Sequence, residues 1–299
     1  MTRASALHRF AGDLLGRPLL LAAGVVLVAV AALSLGAPLL AAWLGHDPEA
    51  VDLMGRFARP DADHPLGRDE LGRDLALRLA YGGQVSLAVG LAGALAAALI
   101  GTIVGLVAGT TGGWLDALLM RVTDAVIALP VLPLLIVLSA VDPAELGPLS
   151  GLFARGPGDV ARIVVLVALV GWTTTARLVR AQALSVRTHD FVRAAEALGA
   201  SPLRIMVRHI LPSCASPIVV ATTLAVGSVI LTESVLSFLG LGIQPPTPSW
   251  GNMLTNAQEL VWAAPRLAIL PGLAIFVTVV CVNVLGDGLQ DVLDPRGRD

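Results

Sequence analysis

Charged residues are almost absent from six long apolar stretches, and this segregation limits the possible folds more than any other feature of the sequence. The stretches cover residues 18–43, 83–108, 122–141, 163–179, 217–240 and 267–286. Of the 20 basic and 22 acidic residues, only Asp124, Arg177 and Glu233 lie inside them. Runs of about 20 apolar residues match the hydrocarbon thickness of a bilayer, and their alternation with polar loops favours helices over a barrel. The sequence therefore predicts an all-α membrane protein with six transmembrane helices, and it excludes a soluble enzyme, a nucleic-acid-binding protein and a disordered chain.

The distribution of arginine predicts the orientation of the helices. Six spans place both termini on one side, and that side carries 12 of the 20 arginines, five of them in residues 180–216. Because cytoplasmic loops carry the excess of basic residues, both termini are expected in the cytoplasm. The first apolar run is much longer than the h-region of a signal peptide, so we expect a retained helix. The predicted organisation is a cytoplasmic N-terminus at 1–17, a first transmembrane helix at 18–43, an external segment at 44–82, a core of five helices at 83–286 that includes the cytoplasmic loop 180–216, and a cytoplasmic tail at 287–299.

Two patterns near or inside the apolar stretches predict contacts within the bundle. Gly101, Gly105 and Gly109 repeat every four residues, and glycines at this spacing let two helices approach closely. Asp124 follows Arg121 by three residues, which allows an ion pair on one helix face. Both patterns favour a structural role and do not identify a function.

The sequence contains no recognisable catalytic or metal-binding pattern. It has no lysine, which excludes a nucleotide-binding P-loop of the GxxxxGK[ST] type. Cys214 and Cys281 lack the spacing of a metal site or a disulfide framework, and no HExxH, GxSxG or GxGD sequence occurs. We therefore expect no catalytic residue, no metal ligand and no cofactor on this chain, which argues against an intramembrane enzyme. A channel or a transporter that works alone stays an alternative, although such proteins usually carry several ionisable residues within the membrane.

The polar segment between the fourth and fifth apolar stretches predicts two short helices outside the bilayer. Asp190 or Thr188 can cap the first helix, and Gly199 lies where a helix commonly ends. Ser201 and Pro202 then fit the start of the second helix. The apolar side chains on one face of the first helix are Phe191, Ala194, Ala195 and Leu198. Such a pair of helices either docks into a groove of another protein or lies on the lipid surface, and periodicity alone favours neither.

This segment resembles the EAA loop of ABC-importer permeases. The pattern of that loop is EAA, three residues, Gly, nine residues, and then I-x-LP. In this chain Ala194 and Ala195 match the two alanines, and Gly199 matches the glycine. Leu211 and Pro212 match the final two residues. The resemblance implies that the loop docks onto an ATPase subunit.

Two positions of this loop depart from the family pattern. Arg193 stands where the pattern has Glu, and His209 stands where it has Ile. Glu196 lies nearly one helical turn further on, so Glu196 or Arg193 is expected to replace the contact of the family's glutamate by a different pairing. The coupling residues that the resemblance implies are Arg193, Ala194, Ala195, Glu196, Gly199, Ala200, Ser201, Leu211 and Pro212.

Three further segments resemble one subfamily of these permeases. The sequence HPLGRDELGRD at 64–74 is similar to the HPLGTDxxGRD signature of the dipeptide, oligopeptide and nickel permeases, with Arg68 in place of Thr. The segments 233–251 and 286–295 are also similar to that subfamily. The signatures occur in the family's order, and the chain is identified as a member of this subfamily, similar to its second, C-type permease subunit.

The resemblance implies a fold, a set of partners and a mechanism. It implies the type I permease fold of ABC importers in the inner membrane of a bacterium. The implied partners are a homologous permease subunit in a heterodimer, two ABC ATPase subunits that hold ATP and Mg²⁺, and a periplasmic or lipid-anchored substrate-binding protein. Membrane lipid is the remaining partner, and no nucleic acid is expected. Closure of the ATPase pair would move the spans through residues 190–212 by alternating access. The implied substrates are di- or oligopeptides, with nickel or another small solute as the alternative.

An acidic residue within the fifth apolar stretch marks a candidate translocation path. A charge deep in a bilayer is costly, so it usually faces a partner or a water-filled path. The candidate path residues are Thr232, Glu233, Ser234 and Ser237. The alternative is a carboxylate that packs helices together or lies near the external interface.

The external loops supply a second set of candidate residues. We expect His64, Arg68, Asp69, Arg73, Asp74 and Trp250 to contribute to the external surface that meets the binding protein. The loop before Trp250 contains Gln244-Pro-Pro-Thr-Pro-Ser, whose prolines favour a rigid shape. The alternatives are a plain rigid loop and, for residues 64–74, a surface whose charges pair with each other. We see no metal-ligand spacing in residues 64–74.

Overall fold

The computed structural model describes residues 17–140 and 157–293, and most of these residues are helical. The helices are α1 Pro18–Leu35, α2 Ala37–Leu44, α3 Leu75–Thr111, α4 Gly113–Ala128, α5 Val131–Ala140, α6 Pro157–Arg187, α7 Asp190–Ala197, α8 Pro202–Ile205, α9 Leu211–Ser213, α10 Ala215–Phe238, α11 Ala257–Leu260 and α12 Arg266–Leu293. A π-helical turn at Met206–Ile210 joins α8 to α9, and short 3₁₀ turns occur at Leu53–Gly55 and Asn252–Leu254. Within the described ranges there is no strand, only an isolated bridge between Arg68 and Asp74. Most of the predicted N-terminus at 1–17, and the tail from residue 294, lie outside the described residues.

Five described helices are long and apolar enough to cross a membrane. They are Pro18–Leu35, Leu75–Thr111, Asp159–Arg187, Ala215–Phe238 and Arg266–Val292. The consecutive helices α4 and α5 pass the same test only as a pair, which would make a sixth span. The prediction of an all-α membrane protein is therefore confirmed, with five or six spans in the described part of the chain.

The third predicted span is not one straight helix. α4 and α5 meet at an angle of 86°, so the expectation of a continuous helix over 122–141 is wrong. Leu129 lies between them in an extended conformation, with φ −78° and ψ 137°. The ring of Pro130 disfavours the helical conformation at the preceding residue, and its nitrogen has no hydrogen to donate. The proline therefore bends the chain although every neighbouring side chain is apolar.

The second predicted span begins earlier than the apolar pattern indicates. α3 starts at Leu75 rather than at residue 83, because the Asp74 carboxylate accepts a hydrogen bond of 2.8 Å from the backbone N–H of Leu77. Such a cap satisfies one of the free N–H groups of the first turn. Polar residues that the sequence assigns to the external segment therefore belong to a helix that continues into the apolar core.

Three glycines let α3 and α6 pack with their backbones in close approach. A Cβ atom at Gly101 would lie 2.5 Å from the Trp172 carbonyl oxygen, and one at Gly105 would lie 2.5 Å from that of Ala176. At Gly109 it would lie 2.7 Å from the Ala183 Cβ. Any larger side chain would push the helices apart. The packing role predicted from the four-residue spacing is confirmed.

The charged residues of the apolar stretches pair between helices. Asp124 of α4 contacts the guanidinium of Arg177 on α6, so the expected pair with Arg121 on the same helix is wrong. On the neighbouring turns, Arg180 donates two hydrogen bonds to Asp116, of 2.5 and 2.7 Å. The arginines of α6 reach across to α4 because the two helices pack side by side. These pairs fix the first half of the bent segment to α6.

Candidate functional site

The polar segment after α6 forms the two short helices that its sequence predicts. α7 ends before Gly199, which adopts a φ of +77°, a left-handed conformation that costs glycine little. The Ser201 hydroxyl caps α8 by accepting a hydrogen bond from the Arg204 N–H. The N-cap of α7 is His189, which makes no side-chain cap, so neither Asp190 nor Thr188 has the predicted capping position.

One face of this segment is fixed to the transmembrane bundle. Val192, Ile205 and Ile210 are buried, and they pack in one apolar cluster with Leu106 of α3 and Val179 of α6. This apolar cluster therefore joins α7 and α8 to α3 and α6.

The other face of the segment exposes large apolar side chains. Leu198 is 87% exposed and Leu203 is 65% exposed. Phe191 and Val207 are also exposed. Of the predicted apolar face of α7, only Ala195 is partly buried. An apolar surface of this kind marks a contact with a protein or with a membrane.

The predicted coupling residues lie along this exposed face and its edges. Arg193, Ala194, Glu196, Gly199, Ser201 and Pro212 are exposed, and Ala195, Ala200 and Leu211 are partly buried. Neither Arg193 nor Glu196 takes part in an ion pair within residues 17–140 and 157–293. Glu196 borders a cavity of about 580 Å³ between this segment and the end of α3, together with Thr110 and Arg187. Their coupling role stays a prediction.

A second cavity lies within the bundle and carries hydroxyl groups. Its volume is about 410 Å³, and residues of α3, α5, α6, α10 and α12 line it. The lining includes the consecutive threonines Thr173–Thr175 of α6, and Ser228 and Thr232 of α10. Thr232 is thus the one predicted path residue that borders this cavity. The three threonines were missed from the sequence because hydroxyl groups in an apolar run carry no distinctive signal.

Glu233 lies in a buried network that joins three parts of the chain. Its exposed fraction is 0%. One carboxylate oxygen accepts a hydrogen bond of 2.7 Å from the Ser237 hydroxyl, and the other accepts one of 3.3 Å from the Ser86 hydroxyl on α3. The Ser86 hydroxyl oxygen in turn accepts a hydrogen bond from the backbone N–H of Trp250. The network therefore ties α10 to α3 and to the loop after α10.

These contacts match the alternative role of Glu233, that of a carboxylate that packs helices together. Ser234 and Ser237 are buried beside it, and the Ser237 hydroxyl also accepts a hydrogen bond from the Ile243 N–H. A role of Glu233, Ser234 and Ser237 in the path stays a prediction. Trp250 is 2% exposed, and its indole N–H donates to the Leu79 carbonyl.

The residues expected on the external surface are mostly buried. His64, Asp69, Arg73, Asp74 and Trp250 are buried, and Arg68 is partly buried and pairs with Asp52. The five buried side chains do not form an outer surface of the described chain. The Arg68 guanidinium lowers the pKa of the Asp52 carboxyl, whose side chain is half exposed.

Ion pairs explain this burial. The Asp69 carboxylate contacts Arg73 at 2.8 Å and Arg78 of α3 at 3.3 Å, and Asp74 contacts the Nδ1 atom of His64 at 2.7 Å. Charged groups that pair with each other tolerate burial that a single charge does not. The alternative of a self-paired segment therefore describes residues 64–74, and Arg78 is a member that the sequence did not identify.

Three of the side chains at this end could hold a metal ion. One ligand atom from each of His46, His64 and Asp74 lies within 4.8 Å of the other two. The sequence predicts no metal ligand on this chain because no ligand spacing is visible in it. His46 lies outside residues 64–74, and only the fold brings it to the other two.

Comparisons with known proteins agree with the helical architecture. The family described as "Binding-protein-dependent transport system inner membrane component" matches residues 71–299. The glutathione transport system permease protein GsiD of Shigella flexneri serotype 5b (strain 8401) is 44% identical over 237 residues, which is 79% of this chain and 74% of that protein. The protein of the same name from Escherichia coli O157:H7 is 43% identical over the same shares of each chain.

Proposed function

Because this chain belongs to the family of binding-protein-dependent transport system inner membrane components, we propose how it works with its partners. The chain is a permease subunit of a peptide-type ABC importer and has the type I permease fold. We propose that it pairs with a homologous permease, that two ATPase subunits bind ATP and Mg²⁺ beneath the pair, and that a periplasmic or lipid-anchored binding protein delivers the substrate. The absence of lysine supports a separate ATPase, since a P-loop requires that residue.

The observation that carries this proposal is the two-sided segment 190–212. One side presents Leu198, Leu203 and Phe191 to a partner, and the other side is packed into α3 and α6. When ATP closes the ATPase pair, the segment moves as a rigid unit and displaces these two helices. ATP can shift the permease between states only through its different affinity for the open and the closed ATPase pair.

The cavity within the bundle is the proposed part of the translocation path. Thr173–Thr175, Ser228 and Thr232 offer hydroxyl groups that can donate to or accept from the backbone of a peptide. The relatives are named for glutathione transport, so a glutathione-sized peptide is the substrate that we propose to test first. The cavity is lined by α3, α5, α6, α10 and α12, of which α3 and α6 are the helices that the segment 190–212 would displace.

The proposed location is the bacterial inner membrane, with both termini and the segment 190–212 in the cytoplasm. The excess of arginine on that side supports this orientation. The self-paired segment around His64 and Asp74 would then lie at the external end of α3.

Site-directed crosslinking tests the proposed docking surface. The native Cys214 and Cys281 are buried, so a cysteine introduced by Leu198→Cys is the most accessible thiol. The matched control is Met54→Cys, because Met54 is 98% exposed. It lies near the start of α3, whereas the segment 190–212 packs at the other end of that helix. A maleimide that carries a benzophenone reacts with the introduced thiol in native membranes. Irradiation should then link the L198C variant to a P-loop ATPase chain, identified by mass spectrometry, and should not link the M54C variant to it. Equal linkage of both variants, or none from L198C while the ATPase co-purifies, would refute the docking surface.

A further inference from the structure

A pair of stacked histidines lies at the end of the bundle where α3 begins. The ring centroids of His46 and His64 are 4.4 Å apart and the rings are nearly parallel, at 17°. The Nδ1 atom of His64 contacts an Asp74 carboxylate oxygen at 2.7 Å. Both His64 and Asp74 are buried, and His46 is partly buried. Two imidazoles and a carboxylate thus converge in a place shielded from solvent.

The Nδ1 atom of His46 has no hydrogen-bond partner in the described part of the chain, although it is buried. A buried polar atom without a partner is costly relative to one that is paired, and native structures satisfy nearly all such atoms. This ring nitrogen is an acceptor or a metal ligand when it carries no proton. A ligand bound together with His64 and Asp74 would supply the partner that this nitrogen lacks within the described chain.

Each of the three residues is held by a different local structure. His46 follows Gly45, whose φ of 72° ends α2 in the left-handed conformation. The backbone N–H of His64 donates a hydrogen bond of 2.6 Å to Asp61, and this bond lowers the pKa of the Asp61 carboxyl. Asp74 is fixed as the N-cap of α3. The three groups are therefore positioned by the fold before any ligand arrives.

We propose that His46, His64 and Asp74 bind a divalent transition-metal ion, with Zn²⁺ as the representative. Imidazole nitrogen and carboxylate oxygen are ligands that Zn²⁺ prefers, at about 2.0–2.2 Å. One ring nitrogen of His46 already lies within 4.8 Å of a ligand atom of each of the other two residues, and its Nδ1 atom makes no hydrogen bond that metal binding would break. Three protein ligands leave a fourth position for water or for a group from another molecule.

The ion would join the end of α2 to the beginning of α3. These two helices are connected by residues 45–74, which contain no helix longer than the 3₁₀ turn at Leu53–Gly55. A metal crosslink across this connection would stabilise the arrangement of the self-paired segment. The site is separate from the segment 190–212, since α3 extends through 37 residues between them, which is about 55 Å. Its existence does not depend on the proposed ATPase contact.

Zinc binding to the purified full chain, together with its co-purifying subunits, tests the proposal. The protein should carry an affinity tag without histidine, be stripped with a chelator, and be titrated with ZnCl₂. The test variant is His46→Gln, whose residue is partly exposed and makes no bond at Nδ1. The matched control is His189→Gln, an exposed histidine near α7. Wild type and H189Q should bind one more Zn²⁺ than H46Q. If H46Q still binds the ion, its affinity should be lower by about 10–100-fold or more, since the loss of a group that merely supports a ligand already lowers metal affinity by that factor.

A second measurement separates binding from folding. Saturating Zn²⁺ should raise the thermal unfolding midpoint of wild type and H189Q, because a ligand that binds only the folded state stabilises it. It should not raise the midpoint of H46Q, which should elute like wild type on size exclusion. His64→Gln provides an independent variant with the same expected loss of zinc. Equal zinc affinity and equal thermal shifts in wild type and H46Q would overturn the proposal, and so would a loss of zinc in H189Q as large as that in H46Q.

Discussion

Replacement of Gly105 by valine should destabilise the protein by separating α3 from α6. A Cβ atom at this position would lie 2.5 Å from the Ala176 carbonyl oxygen and 2.8 Å from the Val179 Cβ. Ordinary contacts of a Cβ begin at 3.4 Å, and the opposing atoms belong to the helix itself rather than to a flexible side-chain end. The two helices must therefore move apart by about 1 Å, a gap that forfeits up to about half of each dispersion contact.

The expected size of the effect follows from two opposing contributions. Overpacking costs about 1–3 kcal/mol, and valine extends beyond the Cβ, which places this variant at the upper end. Valine is better than glycine in a helix by only about 0.3 kcal/mol. The net loss should therefore be about 2 kcal/mol or more in the free energy of unfolding.

The matched control is Gly24→Val in α1, where nothing lies within 4 Å of the position of a Cβ atom. This variant should change the free energy of unfolding by less than about 0.5 kcal/mol, because the added side chain meets no packed neighbour. Denaturant unfolding of the purified chain in detergent measures both values. If G105V and G24V prove equally stable, the close approach of α3 and α6 is not what holds the bundle together.

Three further predictions concern the docking surface, the buried carboxylate and the bend. Leu198→Ser should reduce the amount of ATPase that co-purifies, whereas Leu39→Ser, also at a highly exposed leucine, should not; equal recovery would contradict the docking surface. Glu233→Gln should lower uptake without removing the protein from the membrane, because the network to Ser86 is altered; wild-type uptake would argue against any role. Pro130→Ala should allow Leu129 a helical conformation, so spin labels on α4 and α5 should move apart, and an unchanged distance would assign the bend to packing.

The sequence located the apolar spans and the two short helices of the segment 190–212, but it did not predict the bend of the third span or the start of the second. Hydropathy identifies spans because a bilayer imposes one length and one polarity on them. The short helices were visible because Gly199, Ser201 and Pro202 act through their own backbone and capping chemistry. Pro130 also acts through its own backbone, but a hydropathy pattern identifies only the length and polarity of a span and carries no information about a bend.

The side chains that meet in each site were harder to predict, because they come from residues far apart in the sequence. Glu233 was identified as unusual, but its partner Ser86 is 147 positions away. The charges of residues 64–74 suggested an exposed surface, whereas the fold pairs Asp69 with Arg78 and buries both. His46 does not fall into a recognised metal-ligand spacing with other residues of the sequence. Each of these contacts is set by tertiary packing rather than by local pattern.

Transport by the purified complex tests the central claim most directly. The chain, with its co-purifying subunits, should be reconstituted in vesicles with ATP on the side of the segment 190–212 and the binding protein with labelled glutathione on the other. An importer permease predicts uptake that requires ATP, the ATPase subunits and the binding protein together. Uptake at the same rate by this chain alone and without ATP would contradict the account, because it would indicate a channel or a transporter that works alone.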